Sequence, residues 1–257
     1  MATATRTTRT PDRDPSRAMI PKIIHYCWFG SAPLPPLAER CIASWRRHFP
    51  GWEIRRWDES NYDVHVMPYT TEAYNHGKYA FVSDVARFDI LHRYGGVYLD
   101  TDVEVLRSFD DVLAEGPFMG QETDKVNPGL GMAAEAGMPF LDEMLRYYAT
   151  LHFVNTDGRL IGGTVVTHTT AKLKEHGYEC RRGKQHIAGF TIYPEKWFNP
   201  LDDLTGRLRV ATETHSIHHY AKTWCDNSSP GRVRLSRLAH RLIGINASGR
   251  IRRLLKL

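Results

Sequence analysis

Asp100 and Asp102 stand two apart in the run Val97-Tyr98-Leu99-Asp100-Thr101-Asp102-Val103-Glu104-Val105. On an extended strand, residues two apart leave from the same face, about 7 Å from each other along the chain. Two like charges so placed repel, and a divalent cation relieves the repulsion. Oxygen donors favour magnesium or manganese over zinc. Such an ion would neutralise an anionic leaving group as it departs. A solvated strand end with three acids has the same local pattern, so the flanking segments must decide.

Those segments are informative. Residues 79–94 have helical spacing, with Phe81, Val85, Phe88 and Leu91 on one face and Asp84 and Arg87 three apart on another. Gly95-Gly96 ends that helix, because glycine readily takes the left-handed cap. The strand predicted for 97–105 alternates: Val97, Leu99, Thr101, Val103 and Val105 face one way, and Tyr98, Asp100, Asp102 and Glu104 the other. The Gly-Gly turn folds the helix back beside this strand, so Ser83, Asp84 and Arg87 can converge with the acids. An arginine there can hold a phosphate or a sugar hydroxyl.

Upstream, 20–30 reads as a buried strand stopped by glycine, 37–49 as a helix and 52–57 as a second strand. That order suggests a parallel βαβ start. Trp28 sits at the first strand's end, where an indole can lie flat on a nucleobase; a core tryptophan has the same pattern. Further elements are a short strand at 118–120, helices at 139–151 and 164–175, and strands at 187–193 and 216–220. Gly120-Gln121-Glu122-Thr123-Asp124 could face an acceptor. Asn127-Pro128-Gly129-Leu130-Gly131 reads as a loop near the transferred group, and Ile161-Gly162-Gly163-Thr164 as the opening of a helix whose amides could receive an anion or a hydroxyl.

A late stretch, Ser216-Ile217-His218-His219-Tyr220-Ala221-Lys222-Thr223-Trp224, offers imidazoles to complete a metal shell, and a lysine and tryptophan to close over a diphosphate. Neighbouring strand residues point oppositely, so His218 and His219 cannot both reach one ion on a continuing strand. His219, nearer the loop, is preferred.

Composition narrows the class. The formal net charge is +5, but Gly231 to Leu257 carry eight Arg and Lys and no acid. Removing those eight from 34 leaves 26 basic against 29 acidic residues upstream, a net −3, which does not read as a nucleic-acid binder. Residues 1–19 are rich in Thr, Arg and Pro and read as a disordered tail without the apolar core of a signal peptide. Cys27, Cys41, Cys180 and Cys225 show no CxxC pairing and fit reduced thiols. A cytoplasmic protein is expected. The segment 227–257, with Leu235, Leu238, Leu242 and Ile243 at helical spacing among arginines, reads as a basic amphipathic helix. It would either lie peripherally on the inner face of a membrane or pack on the domain.

Ser83-Asp84-Val85-Ala86-Arg87-Phe88 through Arg93-Tyr94-Gly95-Gly96-Val97-Tyr98-Leu99-Asp100-Thr101-Asp102, with the opening Ile20-Pro21-Lys22-Ile23-Ile24-His25-Tyr26-Cys27-Trp28-Phe29-Gly30, resembles family 32 glycosyltransferases, the DXD sugar-binding group. It is also similar to the catalytic domains of clostridial glucosylating toxins. The resemblance covers residues 20–226. It implies an α/β GT-A fold, a Rossmann-like, mixed and mostly parallel sheet flanked by helices, here with a helical C-terminal appendage.

By the same resemblance, Trp28 stacks on the donor base. Ser83, Asp84, Arg87, Asp100, Lys222 and Trp224 contact the donor, and Asp100, Asp102 and Arg87 form the catalytic group. Mn2+ or Mg2+ is held by Asp102 directly, with Asp100 and His219 or His218. The implied reaction moves a sugar from a nucleotide-sugar donor, a UDP-sugar by preference, to a glycan, lipid-linked or small-molecule acceptor with retention, in bacterial polysaccharide synthesis. A nucleotide-sugar-binding protein without turnover and a metal-dependent phosphohydrolase are the alternatives.

Overall fold

The computed structural model describes residues 19–181 and 183–221. The expectations for residues 1–18, Lys222, Trp224 and the basic segment 227–257 lie outside the described residues.

Strand β1 (Ile23–Cys27) leads through helix α1 (Pro36–His48) to β2 (Glu53–Trp57), and β1 pairs with β2 in parallel, as the sequence predicts. Pro36 starts α1, where its missing N–H costs nothing. Helices α2 (Pro68–Asn75) and α3 (Tyr79–Tyr94) follow. The chain then enters β3 (Gly96–Tyr98), which lies parallel to β1 on its other side.

The strand predicted for 97–105 is broken. Val97 and Tyr98 belong to β3, and β4 (Val103–Val105) joins a separate two-stranded sheet. Asp100-Thr101-Asp102 is the turn between them, closed by the Val103 amide donating to the Asp100 carbonyl at 3.0 Å. Two α1 side chains hold β4: Trp45 Nε1 donates to the Val103 carbonyl at 2.7 Å, and Ser44 Oγ accepts from the Val105 amide at 2.9 Å.

After α4 (Asp110–Leu113), β5 (Phe118–Glu122) and β6 (Lys125–Ala134) form an antiparallel pair. Read as a loop in sequence, β6 is instead a buried central strand between β3 and β5. Its ladder jumps from Met119↔Met132 to Gly120↔Asn127, so Pro128 to Gly131 lie in a bulge, where a proline costs no ladder bond.

Helices α5 (Pro139–Ala149) and α6 (Val165–Glu175) follow. The strand expected over 187–193 is a hairpin of β7 (Gln185–Ile187) and β8 (Phe190–Tyr193), turning through Ala188 and Gly189, both at positive φ. The last described strand, β9 (Ser216–His218), pairs antiparallel with β4.

The main sheet runs β2-β1-β3-β6-β5-β8-β7. The pairings set β1, β2, β3, β5 and β8 in one direction and β6 and β7 in the other. This is the mixed, mostly parallel α/β sheet expected, and it is consistent with GT-A. Helices cover both faces. Tyr98, Met119 and Met132 pack in the layer with α3, α5 and α6, whereas Val97, Phe118 and Ala133 pack in the layer with α1 and β4. Burying both faces of the sheet is the main driving force for the fold.

Gly95 and Gly96, at φ 61° and 102°, make the α3–β3 corner. A Cβ on Gly96 would stand 2.7 Å from the Ile23 carbonyl oxygen and 3.0 Å from His25 Nε2, so the corner needs glycine for both angle and space.

Candidate active site

The carboxyl ends of β1, β3 and β5 open onto one cavity of about 770 Å³. Open α/β sheets bind ligands at this end. The cavity gathers the side chains that the sequence singled out upstream of residue 222: Trp28, Ser83, Asp84, Arg87, Asp100, Asp102 and His218 all line it. The exception is His219.

Arg87 lies at the centre. It is 3 % exposed, and α3 delivers it from the wall opposite the turn. Its Nη2 is 3.0 Å from Asp84 Oδ1 and 3.3 Å from Asp100 Oδ1, Nη1 is 3.5 Å from Asp100 Oδ2, and Nε donates to the Ser83 carbonyl at 3.0 Å. The guanidinium also lies 4.8 Å over the Tyr98 ring. Burial works against its charge. Asp100, Tyr98 and Asp84 outweigh that and hold its pKa above the ordinary value.

Asp84 shows the opposite balance. Burial pushes its carboxyl up to about 6, although Arg87 and the Val165 amide favour the charged form. That amide, 3.3 Å from Asp84 Oδ2, belongs to the first turn of α6. Asp84 therefore ties α3 to α6, and it occupies one amide that the Gly162-Gly163-Thr164 opening would otherwise offer to an anion.

Asp102 forms the second half of the turn. Its Oδ2 accepts from the Ala221 amide at 2.8 Å, and Oδ1 lies 3.3 Å from His218 Nε2. Burial raises its pKa, but the His218 imidazole and the backbone amides prevail and bring it down to about 2. His218 is lifted to about 9, since Asp102 outweighs the burial that disfavours its charge. Its Nδ1 is buried without a protein partner. The ring rests 4.3 Å from Tyr220, whose hydroxyl accepts from Asn199 Nδ2 at 2.6 Å.

The preference for His219 is reversed by this geometry. β9 ends at His218, and His219 Nε2 is turned to Glu104 Oε2 at 2.8 Å, away from the cavity. Only the His219 amide serves the turn, donating to the Asp102 carbonyl at 3.0 Å.

Trp28 follows β1, half-buried, with its indole N–H donating to the Ala32 carbonyl at 2.6 Å. Gly30, at φ 91°, lets Tyr79 lie against the backbone: a Cβ there would stand 2.2 Å from the ring. Tyr79 and Phe81 add aromatic wall beside Trp28.

Sequence reasoning left Tyr79, Lys78, Lys125 and Tyr220 out of the site, though each lines the cavity. Asn127 and Glu122 also line it, linked by Asn127 Nδ2 donating to Glu122 Oε2 at 2.5 Å. Both belong to the 120–124 and 127–131 segments that the sequence sets near the acceptor and the transferred group.

Among the described residues, no three His, Cys, Asp or Glu side chains are preassembled around a metal position. The donor chemistry nevertheless fits a hard divalent cation. Asp100 and Asp102 bring oxygen donors to the same cavity wall as the His218 imidazole, whose Nε2 lies 3.3 Å from Asp102 Oδ1 and whose buried Nδ1 has no partner among the described residues.

Residues 35–119 match the family described as "Glycosyltransferase sugar-binding region containing DXD motif". The chain is 29 % identical to inositol phosphoceramide mannosyltransferase 1 of Schizosaccharomyces pombe over 118 residues, 42 % of this chain and 35 % of that protein. It is 29 % identical to mannosyltransferase 3 of the same series and organism over 140 residues, 50 % of this chain and 37 % of that protein. The match thus spans little more than a third of each relative. Both relatives are fungal, so they lend nothing to the bacterial setting expected from sequence. The solved structure titled PaToxG Glycosyltransferase aligns with a TM-score of 0.44 at 16 % identity, covering 62 % of this chain and 72 % of that one.

Proposed function

We propose that this chain, which carries a glycosyltransferase sugar-binding region of the DXD type, transfers a hexose from a nucleotide-diphosphate donor to an acceptor hydroxyl in a divalent-metal-dependent reaction. The observation that carries this reading is the convergence, in one cavity, of an aromatic wall at Trp28, the Asp84–Arg87–Asp100 network and the Asp102–His218 pair.

The chemistry follows from the wall. Trp28, beside Tyr79 and Phe81, receives the base. Arg87 keeps its charge and orients Asp100, which together with Asp84 offers acceptors for sugar hydroxyls. Asp102, Asp100 and His218 would hold Mn2+ or Mg2+, which supplies neutralisation of the departing diphosphate. In the transfer the bond from the anomeric carbon to the β-phosphate oxygen breaks, the acceptor oxygen bonds to that carbon, and the acceptor's proton passes to the leaving phosphate. Retention by this front-side route suits a cavity in which no described carboxylate is assigned as a nucleophile.

A UDP-hexose is the preferred donor. GDP is the second nucleotide to try, and the relatives, being inositol phosphoceramide mannosyltransferases, add mannose as a sugar and a lipid-linked acceptor to the candidates. Incubation with UDP- and GDP-hexoses, with manganese, magnesium or a chelator, tests the reading. Metal-dependent release of nucleoside diphosphate is expected, lost on Asp100→Ala with Asp102→Ala. Cleavage inside the diphosphate would indicate a phosphohydrolase instead. Tight donor binding without turnover on any acceptor would indicate a binding protein.

A further inference from the structure

Seven large apolar side chains are exposed among the described residues, and five of them sit on two loops. Leu160 and Ile161 lie between α5 and α6, and Leu204, Leu208 and Val210 lie before β9; all five are between 45 % and 56 % exposed. Both loops end at the same cavity. Ile161 is separated from the wall residue Thr164 by the Gly-Gly pair alone, and Leu204 follows the wall residue Asp203 directly. Scattered exposed aliphatics need no explanation, but a concentration on two loops that each give a residue to the wall of one cavity does.

The charges beside these aliphatics are informative. Arg159 precedes Leu160, and Arg207 and Arg209 alternate with Leu208 and Val210; all three arginines are exposed. The acids on the same loops are Asp157, Asp202 and Asp203. Asp202 turns its carboxylate onto the Thr205 amide at 2.7 Å, and Asp203 lines the cavity. The described chain ends at Ala221, in the cavity wall, and the sequence that follows holds eight Arg and Lys and no acid from Gly231 onward. Aliphatic side chains interleaved with arginines, in a chain whose last 27 residues are strongly cationic in sequence, match the interface of an anionic bilayer.

We propose that the rim formed by the 155–164 and 201–210 loops docks on an anionic phospholipid surface, so that the cavity opens toward the membrane. Placing an acceptor there rests on the sugar-transfer reading; the docking itself does not. Small aliphatics reach the headgroup–acyl boundary while Arg159, Arg207 and Arg209 meet phosphates. The acceptor is then a hydroxyl carried on a lipid headgroup, brought to the cavity by diffusion in the plane.

The test is co-sedimentation of the full chain with vesicles of phosphatidylcholine alone and of phosphatidylcholine with phosphatidylserine. Binding to the anionic vesicles is expected. It should fall about tenfold or more in a variant carrying Leu160→Ser, Ile161→Ser, Leu208→Ser and Val210→Ser. A second variant, Arg159→Gln with Arg207→Gln and Arg209→Gln, should weaken the preference for phosphatidylserine, and a variant that keeps the parental preference would show that these arginines take no part in the docking. Donor hydrolysis in solution should match the parent in both. A parent that binds neither vesicle, or a serine variant that binds as the parent does, overturns the proposal. So does a parent dimer in light scattering that the serine variant splits, which would assign the rim to a second copy. Vesicle binding without any sugar transfer or donor hydrolysis would leave the docking standing and remove the transferase reading.

Discussion

The Cα of Gly129 lies so close to the carboxylate of Asp100 that a methyl group there would stand 1.8 Å from Oδ2. The same methyl would be 2.7 Å from Asp100 Cγ and 3.0 Å from Arg87 Nη1. The contact is reinforced by two further bonds: the Asp100 amide donates to the Gly129 carbonyl at 3.0 Å, and Asn127 Oδ1 accepts from the Gly129 amide at 2.7 Å. The bulge in β6 therefore acts as the seat of the first acid of the turn.

Gly129→Ala should push Asp100 out of its seat and off Arg87. Overpacking of this kind costs about 1–3 kcal/mol, readable by urea unfolding. Donor turnover should fall at least about tenfold with it, because a small misplacement at a reacting centre is amplified in rate. Gly162→Ala is the control, since a Cβ at that position meets nothing within 4 Å. Equal behaviour of the two variants would remove the role assigned to the bulge.

This seat also marks where the sequence stopped being readable. Val97, Tyr98 and the helix before them were legible because periodicity and the Gly-Gly corner agree with the fold. β6 was not, because Asn127-Pro128-Gly129-Leu130-Gly131 carries residues that interrupt strands, and only the register jump opposite Met119 and Gly120 absorbs them. The alternation through Val105 concealed the break at the acids, because a turn that redirects the chain into another sheet leaves the hydrophobic pattern intact. Which of His218 and His219 lines the cavity likewise follows from where β9 ends, and that is set by pairing with β4.

Arg87→Lys should not behave as a conservative change. A lysine cannot span Asp84, Asp100 and the Ser83 carbonyl at once, nor lie flat over Tyr98. Arg87→Met removes the charge altogether and leaves the Asp84 and Asp100 carboxylates facing each other without it. Breaking a buried pair in this way costs about 3–5 kcal/mol. Urea midpoints should order the parent above the lysine variant and the lysine variant above the methionine one. A lysine variant with parental stability and donor affinity would contradict the account.

Trp28→Ala separates a stacking platform from a core tryptophan. The indole is half-buried and its N–H is satisfied locally by the Ala32 carbonyl. Loss of a base-stacking ring weakens nucleotide binding by about 1–3 kcal/mol, roughly five- to 150-fold. Calorimetric titration with UDP and GDP in the presence of manganese measures it, and Trp28→Phe should recover most of the affinity. A fall in melting temperature with unchanged nucleotide affinity would make Trp28 a packing residue only.

His25 gives the fold a pH dependence that is independent of the cavity. It is fully buried, with Nε2 donating to the Gly95 carbonyl at 2.9 Å and Nδ1 accepting from Trp57 Nε1 at 3.1 Å. The Trp57 bond requires the neutral ring, since a proton on Nδ1 would face the indole N–H; the bond to the Gly95 carbonyl survives protonation. Burial, opposed in part by the Gly95 carbonyl, lowers its pKa from 6.5 to about 4. Between those values the unfolded chain binds the proton and the folded one does not. The stability tied to neutral His25 is therefore complete above about pH 6.5 and is lost as pH falls toward 4, by about 3 kcal/mol in all. His25→Gln should unfold more readily at pH 8, and the gap between parent and variant should narrow by about that amount at pH 4. Taking the difference cancels groups common to both proteins, including His218, whose raised pKa acts in the opposite pH direction. Urea unfolding from pH 4 to 8 reads the gap directly, and two curves that run parallel throughout would show that His25 titrates alike in the folded and unfolded chains.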